Sequence, residues 1–508
     1  MGALRRPVEA KEMLINPPHS RLRELARHEE KTTKYGSPGY VSKVRNRSAK
    51  FTYIVEDGTP LGVDQQGISP AKARAVADEV YEYLKGAGVI RLDRQMGRHE
   101  NFSLHCRLYI TQKYARIPLK WQVMLFDTAD PEGEPDLISI YVPEWPEKII
   151  FCHPEERITF ILGTDYFGEA KKSFLRMAMY IYKKAGGLGF HAGSKVLRVK
   201  NGTGSLSDVG FILFGLSGTG KTTLTMHNHG LNGSETVFIR QDDVVMMRPD
   251  GCCFGTENGF YIKTEGLDES QAVLYHAATS PSAIFENVMI TGGGEVLFDN
   301  DELTSNGRGV ILRGDVENTD QEIDLEKAHK IIFITRRNDI IPPVARLSPE
   351  QGAAYFMLGE SVETSAGDPT RAGQSKREVG TNPFIIGPEA EEGNRLLKIL
   401  RENPDMECYL LNTGAVGARE GSPGRKITIG VSTGILREIA RGTVRWKTDP
   451  DWGYLVPEEI PGLDLAPYRS EQYYSREEYG RLVDKLRRER KEWLGKYSGL
   501  KREIVDTI

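Results

Sequence analysis

The chain has 508 residues, 39% of them hydrophobic, which is long enough to bury a sizeable core and predicts two or three domains. Its 67 basic and 71 acidic residues nearly balance, which excludes a global electrostatic field for nucleic acid or for an acidic membrane surface. No apolar run approaches the length of a membrane-spanning helix and the first residues lack the apolar core of a secretory signal, so we expect a cytoplasmic protein with neither nucleic acid nor membrane as a partner.

The first 200 residues predict an arm followed by one mixed domain. Charged residues interrupted by Pro17, Pro18 and Gly36 predict a peripheral, extended or partly helical arm over residues 1–40. Over residues 41–200, strand-like runs such as FTYIV mix with helix-like runs such as PAKARAVADEVYEYLK, a pattern typical of an α/β or α+β domain. The polar, glycine-rich run that begins at Asn201 then predicts a domain boundary.

The remainder predicts a nucleotide-binding domain over residues 201–470 and a helical extension over residues 471–508. Apolar runs (VGFILFG, TVFIRQDD, FENVMI, KIIFIT, CYLLNTG) recur between charged or glycine-bearing links, as in a mixed sheet. Ser475 has capping-box spacing to Glu478, and Leu482, Leu486 and Trp493 share one face of the helix that follows. The basic run KLRRERK in this helix can serve an anionic surface, but a solvated helix face is favoured.

The most specific motif is the stretch FILFGLSGTGKTTL, an apolar strand that runs into a glycine-rich loop and a Lys-Thr pair. In this pattern the glycines let backbone N–H groups point at phosphates, Lys221 reaches the β/γ oxygens, and the hydroxyl of Thr222 binds Mg²⁺. An ordinary glycine-rich turn is disfavoured because strand, loop and helix follow one another in the order that the motif requires. The predicted nucleotide-binding residues are Gly215, Leu216, Ser217, Gly218, Thr219, Gly220, Lys221, Thr222 and Thr223.

A pair of acidic residues follows about twenty residues later. Asp242 and Asp243 end the strand-like run FIRQDD, where a phosphate-loop enzyme needs a carboxylate that faces the nucleotide metal. Paired aspartates at a strand end also serve as turn formers or caps, so these two residues alone leave both interpretations open.

Several segments together resemble one family. GTDYFGEAKKSFLRM, GLGFHAGSK, FGLSGTGKTTL, QDD and ENGFYIK are similar to motifs of the ATP-type phosphoenolpyruvate carboxykinase family, and the resemblance covers roughly residues 155–465. It is fainter upstream, where it depends on Arg47, Ser48 and Lys50 and on CRLYITQKYARIPLKW. The resemblance implies an α/β (mixed α+β) protein in which an N-terminal α/β domain and a C-terminal phosphate-loop mononucleotide-binding domain enclose an active-site cleft.

The resemblance also implies two metal sites. Lys172, His191 and Asp243 match positions that hold a catalytic Mn²⁺, and Thr222 matches the contact to the Mg²⁺ of the nucleotide. Lys172 binds a metal only as the neutral amine, because an ammonium has no lone pair. Without the resemblance, Lys172 would be assigned to a solvated helix face and His191 to a satisfied core position.

The organic substrate and the transferred phosphate involve further residues in the resemblance. Arg47 matches a carboxylate-binding arginine, Tyr166 a substrate-site tyrosine, and Ser217 a phosphate-loop serine near the reacting groups. Arg371 is the best match to an arginine near the transferred phosphate, although Arg377 competes for that role within DPTRAGQSKREVG. The remaining implied contacts are Lys263 at the phosphates and Lys426 and Ser432 at the adenosine.

The implied reaction converts oxaloacetate and ATP to phosphoenolpyruvate, CO₂ and ADP, with Lys172, Lys221, Asp243 and Arg371 as its catalytic residues. The sequence departs from the family pattern at Ala49, Phe167 and Val244-Val245, where the organic substrate is expected. A small-molecule kinase that phosphorylates a hydroxyl group without decarboxylation therefore remains an alternative. A nucleotide sensor without turnover is a third interpretation, which two intact metal sites disfavour.

Overall fold

The computed structural model describes residues 4–362 and 374–508. The chain forms two compact units, and each unit is assembled from several separate segments. Both combine helices with mixed sheets, so the predicted α/β class is confirmed. The first unit consists of Met1–Ala185, Phe254–Glu317 and Phe384–Gly387, and the second of Gly186–Cys253, Asn318–Pro383 and Pro388–Ile508.

The main sheet of the first unit has eight strands, with parallel and antiparallel neighbours. The helix Pro70–Lys85 packs on it, because Ala73, Ala77, Val80 and Leu84 recur at helical spacing and share a buried cluster with residues of the sheet. In spatial order the strands are Glu12–Ile15, Gly88–His99, Phe102–Thr111, Leu137–Val142, Ile158–Leu162, Ile149–His153, Thr52–Val55 and Gly67–Ile68.

A second sheet of the first unit has five strands and includes part of the N-terminal arm. In spatial order its strands are Phe260–Lys263, Arg308–Ile311, Ile284–Glu286, Pro38–Tyr40 and Lys31–Thr32. A short hairpin joins Met289–Ile290 to Val296–Leu297. The other helices of this unit are His19–Ala26, Arg116–Met124, Phe167–Lys184 and Ala272–Ala278.

The N-terminal arm was predicted to be peripheral, but in the structure it is packed. Leu22 and Ala26 lie four residues apart on one helix and are buried, and the strand Pro38–Tyr40 lies inside the five-stranded sheet. Leu4 also belongs to the buried cluster of the first unit. Because these apolar residues lie among many charges, the composition of the arm conceals the small apolar face that it buries.

The second unit is built on a ten-stranded sheet with a parallel centre. Leu206–Gly215 pairs in parallel with Lys330–Thr335, which pairs in parallel with Glu407–Asn412. The segments that follow these three strands therefore meet at one edge, where α/β proteins bind ligands. In spatial order the strands are Cys253–Gly255, Val244–Met247, Leu188–Lys200, Leu206–Gly215, Lys330–Thr335, Glu407–Asn412, Val344–Leu347, Leu455–Glu459 and Arg445–Thr448, with Thr236–Gln241 also paired to Leu188–Lys200.

Helices and two two-stranded sheets complete the second unit. The strand Glu360–Val362 pairs antiparallel with Ser375–Arg377, and a hairpin pairs Ala415–Val416 with Arg425–Lys426. The helices are Lys221–Met226, Pro349–Leu358, Glu389–Glu402, Ile429–Arg441, Arg476–Leu494 and Arg502–Val505. In the described parts of the chain, none of the helices is long and apolar enough to cross a bilayer.

The predicted domain boundary after residue 200 falls within the second unit. Strands Leu188–Lys200 and Leu206–Gly215 are antiparallel neighbours, and the residues between them form a tight turn. Asn201 shapes this turn, because its side-chain oxygen accepts hydrogen bonds from the backbone N–H groups of Thr203 and Ser205. Polar and glycine residues thus form a hairpin here, and hairpin turns share this composition with interdomain linkers.

The C-terminal helix Arg476–Leu494 begins at the predicted capping box. The Ser475 hydroxyl accepts from the N–H of Glu478, and the Glu478 carboxylate accepts from the N–H of Ser475. The basic run in this helix was predicted to be a solvated face, but one of its residues, Arg490, is fully buried. Its guanidinium donates to Glu360 at 2.8 Å, and burial of a charged group is tolerated when such a partner is present.

Candidate active site

The phosphate loop forms at the end of the strand Leu206–Gly215, as predicted. Gly218 and Gly220 adopt φ angles of +83° and +92°, which favour glycine. Gly215 is required for space, because a Cβ atom there would lie 2.4 Å from the hydroxyl oxygen of Thr219. That hydroxyl donates to the carbonyl of Leu216 at 2.8 Å and holds the loop closed from inside.

Lys221 and Thr222 are tied to the acidic pair. The Lys221 ammonium donates to the backbone carbonyl of Asp242 at 2.6 Å, and the Thr222 hydroxyl donates to the Asp242 carboxylate at 3.0 Å. Both Lys221 and Thr222 are half-buried, so the loop presents them at the edge of the sheet. Asp242 therefore positions the two residues that are predicted to contact phosphate and Mg²⁺.

Asp243 points to a different partner, His191. The Nε2 atom of His191 lies 2.9 Å from a carboxylate oxygen of Asp243, and both side chains keep about a fifth of their surface exposed, 22% and 23%. Nδ1 of His191 donates to the backbone carbonyl of Thr381 at 2.6 Å. Burial, and then the charge of Lys221, lower the pKa of His191, which favours the neutral imidazole.

The geometry of the His191–Asp243 pair fits a bound divalent ion. Two ligands at about 2.1 Å and right angles to one metal ion lie about 3 Å apart, close to the observed separation. The Nδ1 hydrogen bond to a carbonyl is the outer-shell contact that orients metal-binding histidines. Among the described residues, no group of three or more His, Cys, Asp or Glu side chains is placed to hold a metal.

The two adjacent lysines on the helix Phe167–Lys184 differ in environment. Lys171 is buried and donates to Glu257 at 2.7 Å. Lys172, the predicted metal ligand, is half-buried, with its Nζ 5.5 Å from the ring centre of Tyr166. The helix therefore uses one lysine for a buried ion pair within the first unit and leaves the other partly accessible.

Tyr166 and Phe167 lie in the interior of the first unit. The Tyr166 hydroxyl accepts from the hydroxyl of Tyr261 at 3.2 Å and from the Asn306 amide at 3.3 Å. The N–H of Phe167 donates to the buried carboxylate of Glu286 at 3.1 Å. Both side chains are fully buried, so the departure from the family pattern at Phe167 is a core residue.

The other predicted residues of the first unit are more accessible. Arg47 is exposed, with its guanidinium 5.8 Å from the ring centre of Phe384, and its neighbour Ser48 is fixed by an N–H bond to Glu169. Lys263 ends a strand of the five-stranded sheet and forms an ion pair with Glu265. These contacts leave both cations at the surface of the unit to which they belong.

Arg371 and Arg377 are the two residues predicted as candidates for binding the transferred phosphate. Arg371 lies outside the described residues. Arg377 donates to Glu360 at 2.7 Å and lies beside Glu489, so its charge is already matched by carboxylates. A third arginine, Arg336, was missed from the sequence: it is exposed, follows the strand Lys330–Thr335 and donates to the carbonyl of Gly218 at 2.8 Å. The sequence feature that could have indicated Arg336 is the Arg-Arg pair directly after the apolar run KIIFIT.

The predicted adenosine contacts lie on two neighbouring segments of the second unit. Lys426 is exposed on the hairpin strand Arg425–Lys426, and Ser432 is buried in the first turn of the helix Ile429–Arg441. Ser217 is exposed at the tip of the phosphate loop, and Thr223 is half-buried one residue after the Lys-Thr pair. The Thr413 hydroxyl donates to the Thr219 carbonyl at 2.7 Å, which ties the loop to the strand end that precedes the hairpin.

Comparison with known proteins identifies relatives along almost the whole chain. The family model for phosphoenolpyruvate carboxykinase matches residues 11–466. The phosphoenolpyruvate carboxykinase (ATP) of Aeropyrum pernix is 34% identical over 487 residues, which cover 94% of this chain and 93% of that protein. Proteins of the same name from Rhizobium etli and Parvibaculum lavamentivorans are 27% and 28% identical, over 82% of this chain and 79% of theirs.

Proposed function

This chain belongs to the phosphoenolpyruvate carboxykinase family, and on that premise we propose that it converts oxaloacetate and ATP to phosphoenolpyruvate, CO₂ and ADP. The observation that supports this function most is the joining of a phosphate loop to a His–Asp metal pair within one unit. Asp242 holds Lys221 and Thr222, and the next residue, Asp243, faces His191. Phosphate and metal ligands thus come from adjacent positions of one strand end.

In the reaction, the bond between the methylene carbon of oxaloacetate and its neighbouring carboxylate breaks, CO₂ leaves, and the electron pair of that bond forms an enolate with the ketone group. The enolate oxygen attacks the γ-phosphorus of ATP, and the bond from that phosphorus to ADP breaks. Charge spreads over the transferred group in such a transfer, so fixed cations lower its barrier. Lys221 and Lys263 supply such charge. An arginine adds to it, either Arg371 or Arg336, which donates to the phosphate loop at Gly218.

The family generally uses a divalent metal with ATP, and we assign two positions in this chain. In this proposal His191, Asp243 and the neutral amine of Lys172 would hold Mn²⁺, a borderline ion that suits nitrogen and carboxylate ligands, and Thr222 would contact Mg²⁺. When bound, these ions supply charge that polarises the carbonyl group and offsets the phosphates. His191 is suited to this role, because the Thr381 carbonyl accepts a hydrogen bond from its Nδ1, which leaves Nε2, 2.9 Å from Asp243, as the atom that would hold the metal.

The organic acid is bound by Arg47 in this proposal. An exposed guanidinium can form two parallel hydrogen bonds to a carboxylate, which orients the acid as well as attracting it. Tyr166 is fully buried, so in this structure it supports the first unit from inside and its hydroxyl belongs to the contacts with Tyr261 and Asn306. Ser217 lies at the tip of the phosphate loop, and Lys426 and Ser432 are assigned to the adenosine.

The family relation favours decarboxylation with phosphoryl transfer over the kinase and the nucleotide sensor. Two of the residues that raised doubt about the substrate, Phe167 and Val244, are fully buried core residues. They therefore do not by themselves indicate a different organic acid. A cytoplasmic location, and the absence of nucleic acid and membrane partners, remain predictions from composition.

Assay of the purified protein tests the function directly. ATP, Mn²⁺ and oxaloacetate are supplied together, and CO₂, phosphoenolpyruvate and ADP are measured in equal amounts if the proposal is correct. The same protein is then given ATP with a panel of hydroxylated acceptors. Consumption of ATP with an acceptor, combined with no CO₂ from oxaloacetate under any metal condition, would replace the proposal with a kinase.

A further inference from the structure

Lys195 is a buried lysine that the proposed reaction does not use. It lies four residues after His191 on the strand Leu188–Lys200 and is fully buried. Its Nζ atom donates to the backbone carbonyl of Leu224 and contacts Nε2 of His229. Within the described part of the chain, no carboxylate forms an ion pair with it, and burial alone lowers its pKa well below the ordinary value.

The hydrogen bonds of His229 determine the direction of this contact. Nδ1 of His229 lies 3.0 Å from the backbone carbonyl of Thr433, which can only accept, so Nδ1 carries the proton. His229 is buried, and burial followed by the charge of Lys195 lowers its pKa, so the ring is neutral. Nε2 therefore has a lone pair and accepts from Lys195.

These contacts join three elements that carry predicted site residues. Leu224 lies on the helix that begins with Lys221 and Thr222, Lys195 lies on the strand of His191, and Thr433 directly follows Ser432. Alternation along a strand places residues 191, 193 and 195 on one face. Gly193 permits the close approach of strand and helix, since a Cβ atom there would lie 2.3 Å from the Thr225 hydroxyl oxygen.

We propose that Lys195 is a positioning residue for the nucleotide, which through Leu224 and His229 holds the phosphate-loop helix at a fixed distance from the helix that carries the adenosine contact. The inference rests on the proposed use of ATP. ATP spans these two helices, because its phosphates bind at one and its adenosine at the other. A fixed spacing spares the protein the cost of ordering both helices when the nucleotide binds.

The burial of Lys195 without a carboxylate supports a role beyond packing. A methionine has similar length and would fill the space without desolvating an amine. What methionine cannot supply is two hydrogen-bond donations, to a carbonyl on one helix and to His229, which reaches the other. The lysine is thus suited to connect the helices and poorly suited to stabilise a core.

Lys195→Met and His229→Gln test the proposal by nucleotide affinity. Calorimetry on folded protein should give a Kd for ATP that is about tenfold higher for Lys195→Met than for the native protein, because one link in a buried hydrogen-bond chain is lost. His229→Gln, whose side-chain oxygen can still accept from Lys195, is expected to raise it about threefold. The KM for oxaloacetate should stay within about twofold for both, which separates positioning of ATP from general damage. The double variant should bind ATP about as weakly as Lys195→Met alone, and less weakly than the sum of the two effects predicts, because the residues act in one chain of contacts.

Asn403→Ala is the matched control. Asn403 is a buried polar residue of the same unit that donates to the carbonyls of Pro249 and Ile399 and accepts from Lys327, and none of these carries a predicted site contact. Its loss should lower the midpoint of thermal unfolding and leave the Kd for ATP unchanged. If Lys195→Met and His229→Gln behave in the same way as this control, the proposal is wrong. Because ATP binding is measured without oxaloacetate, absence of carboxykinase turnover in the native protein would overturn the proposed function and leave this test intact.

Discussion

The proposed nucleotide region and the proposed organic-acid region of this molecule are constructed in different ways. In the second unit, the phosphate loop, Asp242, Asp243 and His191 bond to one another or to nearby backbone, so the predicted residues form one connected set. In the first unit, Arg47 is exposed and Tyr166 is buried, and each has its own partners. Phosphate binding uses backbone groups of one short segment, whereas an organic acid is bound by side chains from distant segments.

This comparison predicts that damage in the nucleotide region affects every substrate, while damage in the organic-acid region is selective. Four substitutions follow: two address the nucleotide region, one addresses the organic-acid region, and one addresses the buried charges that support the second unit. They are ordered from the largest expected effect to the smallest.

Lys221→Ala is expected to give the largest loss. The ammonium supplies charge to the β/γ oxygens in the transition state, so kcat/KM should fall by about a thousandfold or more. Folding should be unaffected, because Lys221 is half-buried at the edge of the sheet and donates to the backbone carbonyl of Asp242. Steady-state kinetics and circular dichroism measure both, with Lys200→Ala as an exposed control in the same unit. Turnover close to that of the control would remove the phosphate-loop assignment.

Arg47→Ala is expected to be selective. Loss of one charge-assisted contact to the carboxylate should lower turnover with oxaloacetate by about one to three orders of magnitude. The Kd for ATP should stay within about twofold, because the phosphate loop lies in the other unit. Arg74→Ala removes an exposed arginine from the helix Pro70–Lys85 and should change neither quantity. An equal loss in ATP affinity and in turnover would contradict the contrast between the two regions.

Asp243→Asn is expected to change the metal requirement. Removal of the carboxylate charge beside His191 should raise the Mn²⁺ concentration for half-maximal activity by at least about tenfold. In the native protein, Mn²⁺ should activate well below the concentration at which Mg²⁺ alone supports turnover. Titration of activity with each ion gives both numbers, and Asp208→Asn, in a surface pair with Arg198, serves as the control. An unchanged Mn²⁺ requirement would show that Asp243 is not a ligand.

Arg490→Met is expected to act on stability and not on substrate preference. Glu360 is buried among Arg490, Arg337 and Arg377; burial alone would raise its pKa, but the three guanidinium charges hold it well below the usual range. Removing one partner of such a cluster costs about 3 kcal/mol of unfolding free energy. Arg488→Met, two residues earlier and exposed, should cost less than about 0.5 kcal/mol.

The pH dependence of that difference has a definite sign. A carboxyl group with a lowered pKa stabilises the folded state above the unfolded pKa of about 4.3, and this contribution is lost as the pH falls toward the folded value. The gap in unfolding free energy between the native protein and Arg490→Met should therefore be largest near neutral pH and shrink below about pH 4. Urea unfolding at several pH values measures it. A gap that grows as the pH falls would mean that Glu360 is not the group involved.

Local patterns in the sequence were sufficient where one short segment makes a structure. The strand, loop and helix around Gly215–Thr222, and the capping box at Ser475, are as predicted, because their geometry depends on glycine conformations and on hydrogen bonds between near neighbours. The family was also identified from motifs alone. The roles of the individual site residues remain predictions that the substitutions above test.

Tertiary structure decided what depends on residues far apart in the chain. Lys171 and Lys172 are adjacent and identical in type, yet only Lys171 is buried, because Glu257 is 86 residues away in sequence and 2.7 Å away in space. Arg490 was expected in a solvated run. It is buried because its guanidinium donates to Glu360, which lies 130 residues away in sequence. Composition and spacing predicted which local elements form, including the glycine-rich loop to which phosphate binding is assigned. Which charged residues become buried, and which stay accessible, was decided by partners that only the folded chain brings together, since a buried charged group is stable only where other segments supply its hydrogen-bond partners or its counter-charge.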